Sequence, residues 1–181
     1  MKRIFSHWNV QDLMVIGVFA AASKVTTLMV ALAGGGMNPI SLMGKNLVFT
    51  MLLVVILCRV NRPGTLLLFT VINILVSLLL LGASVTLLPP MILAAILGEA
   101  AMLAIGEKKE GVMPKVLGAA VFDLASKLGS LGISWLFMRE TPAMMIMVVP
   151  FVAIGYLGSL GGLFTGVKAV GELRHAGIIR Q

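Results

Sequence analysis

The 181 residues are 59% hydrophobic and 12% charged, with 14 Lys and Arg against 7 Asp and Glu and a formal net charge of +7. A water-soluble domain keeps about a quarter of its residues charged, so the composition excludes a soluble enzyme, a DNA-binding module and a disordered chain, and points to lipid as the solvent. A single cysteine, Cys58, and two histidines, His7 and His175, near the ends leave no disulfide scaffold and no Cys/His metal cluster.

Apolar runs of about 20 residues cross a bilayer as helices, and Gly, Pro and charge mark the breaks. Met1-Lys2-Arg3, an apolar run and Ala31-Leu32-Ala33 follow the grammar of a cleaved signal peptide, but the run is interrupted by Lys24 and the rest of the chain is equally apolar. The first predicted span is therefore retained, from about Asp12 to Ala33, stopping at Gly34-Gly35-Gly36. The second covers about Pro39 to Cys58, ahead of Arg59-Val60-Asn61-Arg62-Pro63-Gly64. The third, Thr65 to Leu81, meets a short break at Gly82-Ala83-Ser84. The fourth, about Leu87 to Ile105, opens on Pro89-Pro90 and ends at Gly106-Glu107-Lys108-Lys109-Glu110-Gly111. The fifth runs from Lys115 to Met138 and the sixth from about Ala143 to Val170, longer than a bilayer needs. The expectation is an all-α membrane protein, one integral membrane domain over residues 1–181 with six transmembrane helices.

Cytoplasmic loops collect Lys and Arg. If the chain starts inside, the inner face receives Lys2, Arg3, Arg59, Arg62, Lys108, Lys109, Lys115, Lys168, Arg174 and Arg180, most of the 14 basic residues. Both termini are then expected in the cytoplasm. The +7 charge reads as orientation in the membrane rather than affinity for nucleic acid.

Ionisable residues inside a span cost about 2.5–3.5 kcal/mol at mid-bilayer and face the bundle interior. Four stand out: Lys24, Glu99, Asp123 and Lys127. In the fifth span Asp123, Ser126, Lys127, Ser130 and Ser134 share one helical face, and Asp123 and Lys127 have the spacing of an intrahelical ion pair. Thr70, Asn73 and Ser77 share a face of the third span, and the second offers Lys45, Asn46 and Thr50. These groups describe either a polar chamber for a solute or interhelical pairs, Asp123 with Lys127 and Glu99 with Lys24. The outer-half charges, Lys24, Lys45, Lys127 and Arg139, are basic, which points to an anionic or carboxylate-bearing solute.

Small residues mark close helix packing in lipid. Gly158, Gly162 and Gly166 form GxxxGxxxG in the sixth span, expected to pack within the chain, and Gly17 and Ala21 form GxxxA in the first. Met144, Met145 and Met147 suggest adaptable packing. No motif for covalent chemistry is present: neither His lies within the bundle, which makes Ser159 a packing serine, and no Walker A sequence occurs. No enzymatic activity and no cofactor or metal is expected.

Trp8-Asn9-Val10-Gln11-Asp12-Leu13 leading into Gly17-Val18-Phe19-Ala20-Ala21, the loop Gly34-Gly35-Gly36-Met37-Asn38-Pro39, the basic turn ending Arg62-Pro63-Gly64, and Gly98-Glu99 ahead of Lys108-Lys109 together resemble a substrate-binding S component of an energy-coupling factor (ECF) transporter. The pattern is most similar to the MptD-like, or Trep-Strep, group of S components, and covers essentially the whole chain. The resemblance implies a six-helix bundle in a bacterial or archaeal cell membrane that captures a vitamin or other micronutrient. It implies as partners a transmembrane coupling protein, contacted by Gly17, Ala20 and Ala21, and two cytoplasmic ATPases that supply the energy of an ABC-type importer. It also implies a site near the outer face, lidded by the loop from Gly34 to Pro39 and lined by helices four to six. Substrate-binding candidates are Lys24, Asn38, Lys45, Asn73, Lys127, Ser130 and Trp135, with Glu99 and Asp123 as structural ion-pair members. The nickel and cobalt relatives carry a metal-binding His close behind Met1; Lys2 and Arg3 stand there in this chain, which argues against a metal. Two other readings of the same residues are an accessory or assembly membrane protein with internally paired charges, and a small ion or proton channel built on Asp123 and Glu99.

Overall fold

A computed structural model describes residues 8–33, 38–81, 88–106, 111–137 and 142–177. Lys2, Arg3, His7, Gly34 to Met37, Gly82 to Ser84, Glu107 to Glu110, Arg139 and Arg180 lie outside the described residues, as do the side chains of Met144, Met145 and Met147. The elements are α1 (Val10–Ala33), α2 (Pro39–Arg59), α3 (Thr65–Leu81), α4 (Leu88–Gly106), α5 (Met113–Phe137) and α6 (Pro142–His175), with no strand among the described residues. Five are long and apolar enough to cross a membrane, and α3 is a shorter apolar helix. The largest departure from expectation is α6, which continues past Val170 to His175 with Pro150 inside it. Proline has no N–H to donate, so that turn lacks one backbone hydrogen bond.

The bundle has the exposure of a protein solvated by lipid. Val18, Leu79 and Phe164 are 66%, 84% and 70% exposed, on surfaces that water would not tolerate in such number. Inside, Ile16, Ala20, Leu53, Ile56, Leu66, Phe69, Ala95, Ala119 and Phe122 form the core. Hydroxyls on the spans return their hydrogen bonds to the preceding turn: Thr70 Oγ1 donates to Leu66 O at 2.8 Å and Ser77 Oγ to Asn73 O at 2.7 Å.

Glycines set the closest approaches. A Cβ on Gly158 would overlap the backbone of Met43, one on Gly162 the backbone of Leu47, and one on Gly166 would lie 3.0 Å from Val54 Cβ. The GxxxGxxxG face is thus the seat of α2, and because both residue series rise together the two helices run parallel. A second close crossing joins α4 and α5, where a Cβ on Gly98 would come within 2.8 Å of Gly118 O. Alternating helix direction puts the starts of α1, α3 and α5 at one end of the bundle with the ends of α2, α4 and α6. Arg59, Arg62, Lys115 and Arg174 all lie at this basic end.

Candidate functional site

Each intramembrane acid was expected to meet a lysine, and the structure treats the two differently. The Asp123 carboxylate pairs with Lys127 one turn along α5. Ser159 of α6 joins them: it accepts from Lys127 Nζ at 2.8 Å and donates to Asp123 Oδ1 at 2.9 Å. Ser159 is therefore not a packing serine but the third member of a buried polar triad. Its partners lie 32 and 36 residues away in sequence, beyond any spacing rule. Lys127 Nζ also stands 5.9 Å from the ring centroid of Tyr156, within cation–π range. Asn46 of α2 completes the surroundings, its amide held on Leu42 O at 2.8 Å and close to Gly155.

Glu99 makes no ion pair with Lys24. Its carboxylate accepts from the backbone amide of Gly64 and, at 3.2 Å, from that of Leu66. Gly64 is the N-cap of α3, its carbonyl accepting from Leu68 N at 2.9 Å, at φ +89°, a left-handed conformation that suits glycine. A glycine cap has no side chain for the first amides. Glu99 supplies the missing acceptor from the neighbouring helix, at the positive end of the α3 dipole.

A second group of polar side chains stands about the aromatic core, on α2, α3 and α5 rather than on the fourth to sixth helices that the resemblance implies. The Phe49 ring lies 6.1 Å from Phe69 and 6.4 Å from Phe122, centroid to centroid, joining α2, α3 and α5 in an apolar floor. One helical turn away, towards the end opposite the basic one, stand Lys45, Asn73 and Ser126, each four residues from a floor phenylalanine and rotated by about 40° from it. Ser130 is one turn further along α5. Asn73 is 1% exposed; its amide donates to Ser23 Oγ of α1 at 3.3 Å, but its Oδ1 is buried without a hydrogen-bond partner. Among the described residues, no hydrogen bond or ion pair engages Lys45 or Lys24. Asn73 Oδ1 thus stands with Thr50 Oγ1 and Asp123 Oδ2 among the buried polar atoms without a hydrogen-bond partner, and Lys45 is a cation without a counterion among the described residues; groups of this kind can be satisfied by a guest.

Three other expected site residues stand elsewhere. Asn38 caps α2, its side-chain oxygen accepting from Ile40 N at 3.1 Å, so that atom is committed to the helix. Trp135, 53% exposed near the end of α5, lies on the outside of the bundle, where an interfacial tryptophan belongs. Lys24 flanks the buried stripe of α1, beside Ser23. The coupling face on α1 is also corrected. Ala20 is fully buried within the chain and cannot meet a partner, whereas Ala21 is exposed and Gly17 has open space at its Cβ position.

No family model, curated protein or solved structure matches the chain.

Proposed function

We propose that this chain is the solute-binding membrane subunit of an ECF-type importer, with both termini in the cytoplasm, capturing a small micronutrient from outside a bacterial or archaeal cell membrane. The observation that carries this reading is the cluster of Phe49, Phe69 and Phe122 with Lys45 and the buried, unsatisfied Asn73 Oδ1 about one helical turn from it; a solute chamber at that level is part of the proposal. With the basic end inward, as lysine and arginine distribution favours, these groups lie towards the outer side, from which a solute is captured. Lys127 is already neutralised by Asp123, so the preference for an anionic or carboxylate-bearing solute rests on Lys45. Gly17, Val18 and Ala21, on the lipid-facing side of α1, are the surface for the coupling protein, whose two ATPases provide the energy.

Mass spectrometry of the protein purified from its native membrane tests this directly: a specific small molecule and a coupling subunit are expected to copurify. Absence of both overturns the reading. Lys45→Ala is expected to lower solute retention at least tenfold while leaving the thermal midpoint nearly unchanged, because Lys45 makes no bond within the bundle that its loss would break. Retention equal to wild type would remove Lys45 from the site.

A further inference from the structure

The basic end holds a second group of charges that solute capture does not use. Arg174, in the last turn of α6, has its Nε buried without a hydrogen-bond partner. Lys115, in the first turn of α5, lies close enough to Arg174 for the two like charges to repel, and both stand near the buried Cys58 at the end of α2. These three helices pack on one another here, with Val116 and Leu173 set against the core that contains Cys58 and Val170. Two like charges thus converge at a helix junction.

No acid answers them among the described residues. Asp12 pairs with Arg62, Glu99 caps α3, Asp123 pairs with Lys127, and Glu172 is exposed and forms no ion pair. The α6 dipole favours a cation in this last turn, but it gives Arg174 Nε no acceptor: of the two basic residues there it is His175 whose Nδ1 lies 2.7 Å from a carbonyl, Gly171 O. Two convergent cations with a buried, unused guanidinium N–H lack an anion that accepts several hydrogen bonds at once. A phosphate group has that chemistry, and basic recesses between transmembrane helices at the membrane surface hold phospholipid headgroups.

We propose that Lys115 and Arg174, at the junction of α2, α5 and α6, form a binding site for a phosphate group. Lys115 meets it as a point charge and Arg174 as a forked donor whose Nε turns towards the anion. The phosphate comes from an anionic lipid headgroup or from free phosphate, and the two sources separate experimentally.

The full-length chain, reconstituted in nanodiscs of phosphatidylcholine doped with phosphatidylglycerol, is released and examined by native mass spectrometry. Wild type is expected to retain phosphatidylglycerol in preference to phosphatidylcholine, and the Lys115→Gln/Arg174→Gln double variant to lose about tenfold of that preference. In a second arm, inorganic phosphate is added to lipid-free protein in detergent. A rise in thermal midpoint that the double variant lacks assigns the site to phosphate from either source; no rise, with lipid retention intact, assigns it to the headgroup. Should the double variant fail to fold, Arg174→Lys keeps the charge and removes the fork, and is expected to lower lipid retention severalfold. Lys168→Gln, an exposed basic position on α6, is expected to change nothing. The proposal is overturned if wild type and the Arg174 variants retain phosphatidylglycerol equally with no phosphate effect, or if Lys168→Gln loses as much as the double variant.

Discussion

Glu99 and Asp123 are both carboxylates within apolar helices, on neighbours that cross closely at Gly98 and Gly118, yet the bundle satisfies them by opposite means. Glu99 is held by the backbone, through the amides that open α3. Asp123 is held by side chains, Lys127 from its own helix and Ser159 from α6. Backbone amides at a helix start are fixed by the helix itself, so the Glu99 contact persists while α3 exists and offers no atom for exchange. Side-chain partners have rotamers and can be shared. Asp123 Oδ2 is in fact buried with no partner, and Asp123 directly follows Phe122 of the aromatic cluster on α5. The first acid therefore belongs to architecture. The second stands beside the residues proposed to meet the solute.

The largest test of this contrast is removal of Asp123. Asp123→Ala leaves Lys127 charged and unpaired in the bundle, a loss of about 3 kcal/mol, readable as a lowered thermal midpoint in detergent. Removing both, in Asp123→Ala/Lys127→Ala, is expected to recover more than half of that loss, because no lone charge remains. If the double variant were as unstable as the single one, the triad would be stabilising through packing rather than charge pairing.

Glu99→Gln is expected to have a smaller effect. Glutamine keeps one acceptor for the α3 amides but loses the charge that strengthens both bonds and complements the dipole, a change of about 1 kcal/mol. Solute retention is expected to stay at the wild-type level. A Glu99→Gln variant that folded normally but no longer retained solute would erase the distinction between the two acids.

The contrast was only partly legible in the sequence, and the reasons are physical. Spans were readable because lipid demands long apolar runs broken by Gly, Pro and charge, and α2 through α5 begin and end within a few residues of expectation. The Asp123–Lys127 pair was readable because both groups lie on one helix, whose period is known. The Glu99 partner was not, since a backbone amide leaves no signature in residue type; the nearest visible cation, Lys24, took its place in the expectation. Ser159 was hidden by its glycine-rich context, which correctly announced close packing on α2 and drew attention from the hydroxyl. Ala20 and Ala21 differ by about 100° around α1, enough to bury one and expose the other, and small size alone does not tell which. Lys45, Asn73 and Ser126 were each visible, but their common level, one turn from an aromatic cluster, depends on Phe49, Phe69 and Phe122 meeting from three helices.

A third acid completes the series and sets its lower bound. Asp12, in the first turn of α1, pairs with Arg62 Nε at 2.7 Å, with the two side chains 26% and 31% exposed. Trp8 stands close by, its ring near Gly64, so the start of α1 lies over the same turn that Glu99 holds from beneath. At that exposure solvent and salt screen the pair, and such contacts contribute about 0–1 kcal/mol. Asp12→Asn is expected to lower the thermal midpoint by less than Glu99→Gln does, and the difference from wild type should shrink further as salt is raised. A loss matching that of Asp123→Ala would mean that the α1 start clamps the α2–α3 turn, and that the amides bonded to Glu99 owe their position to Asp12 rather than to α3.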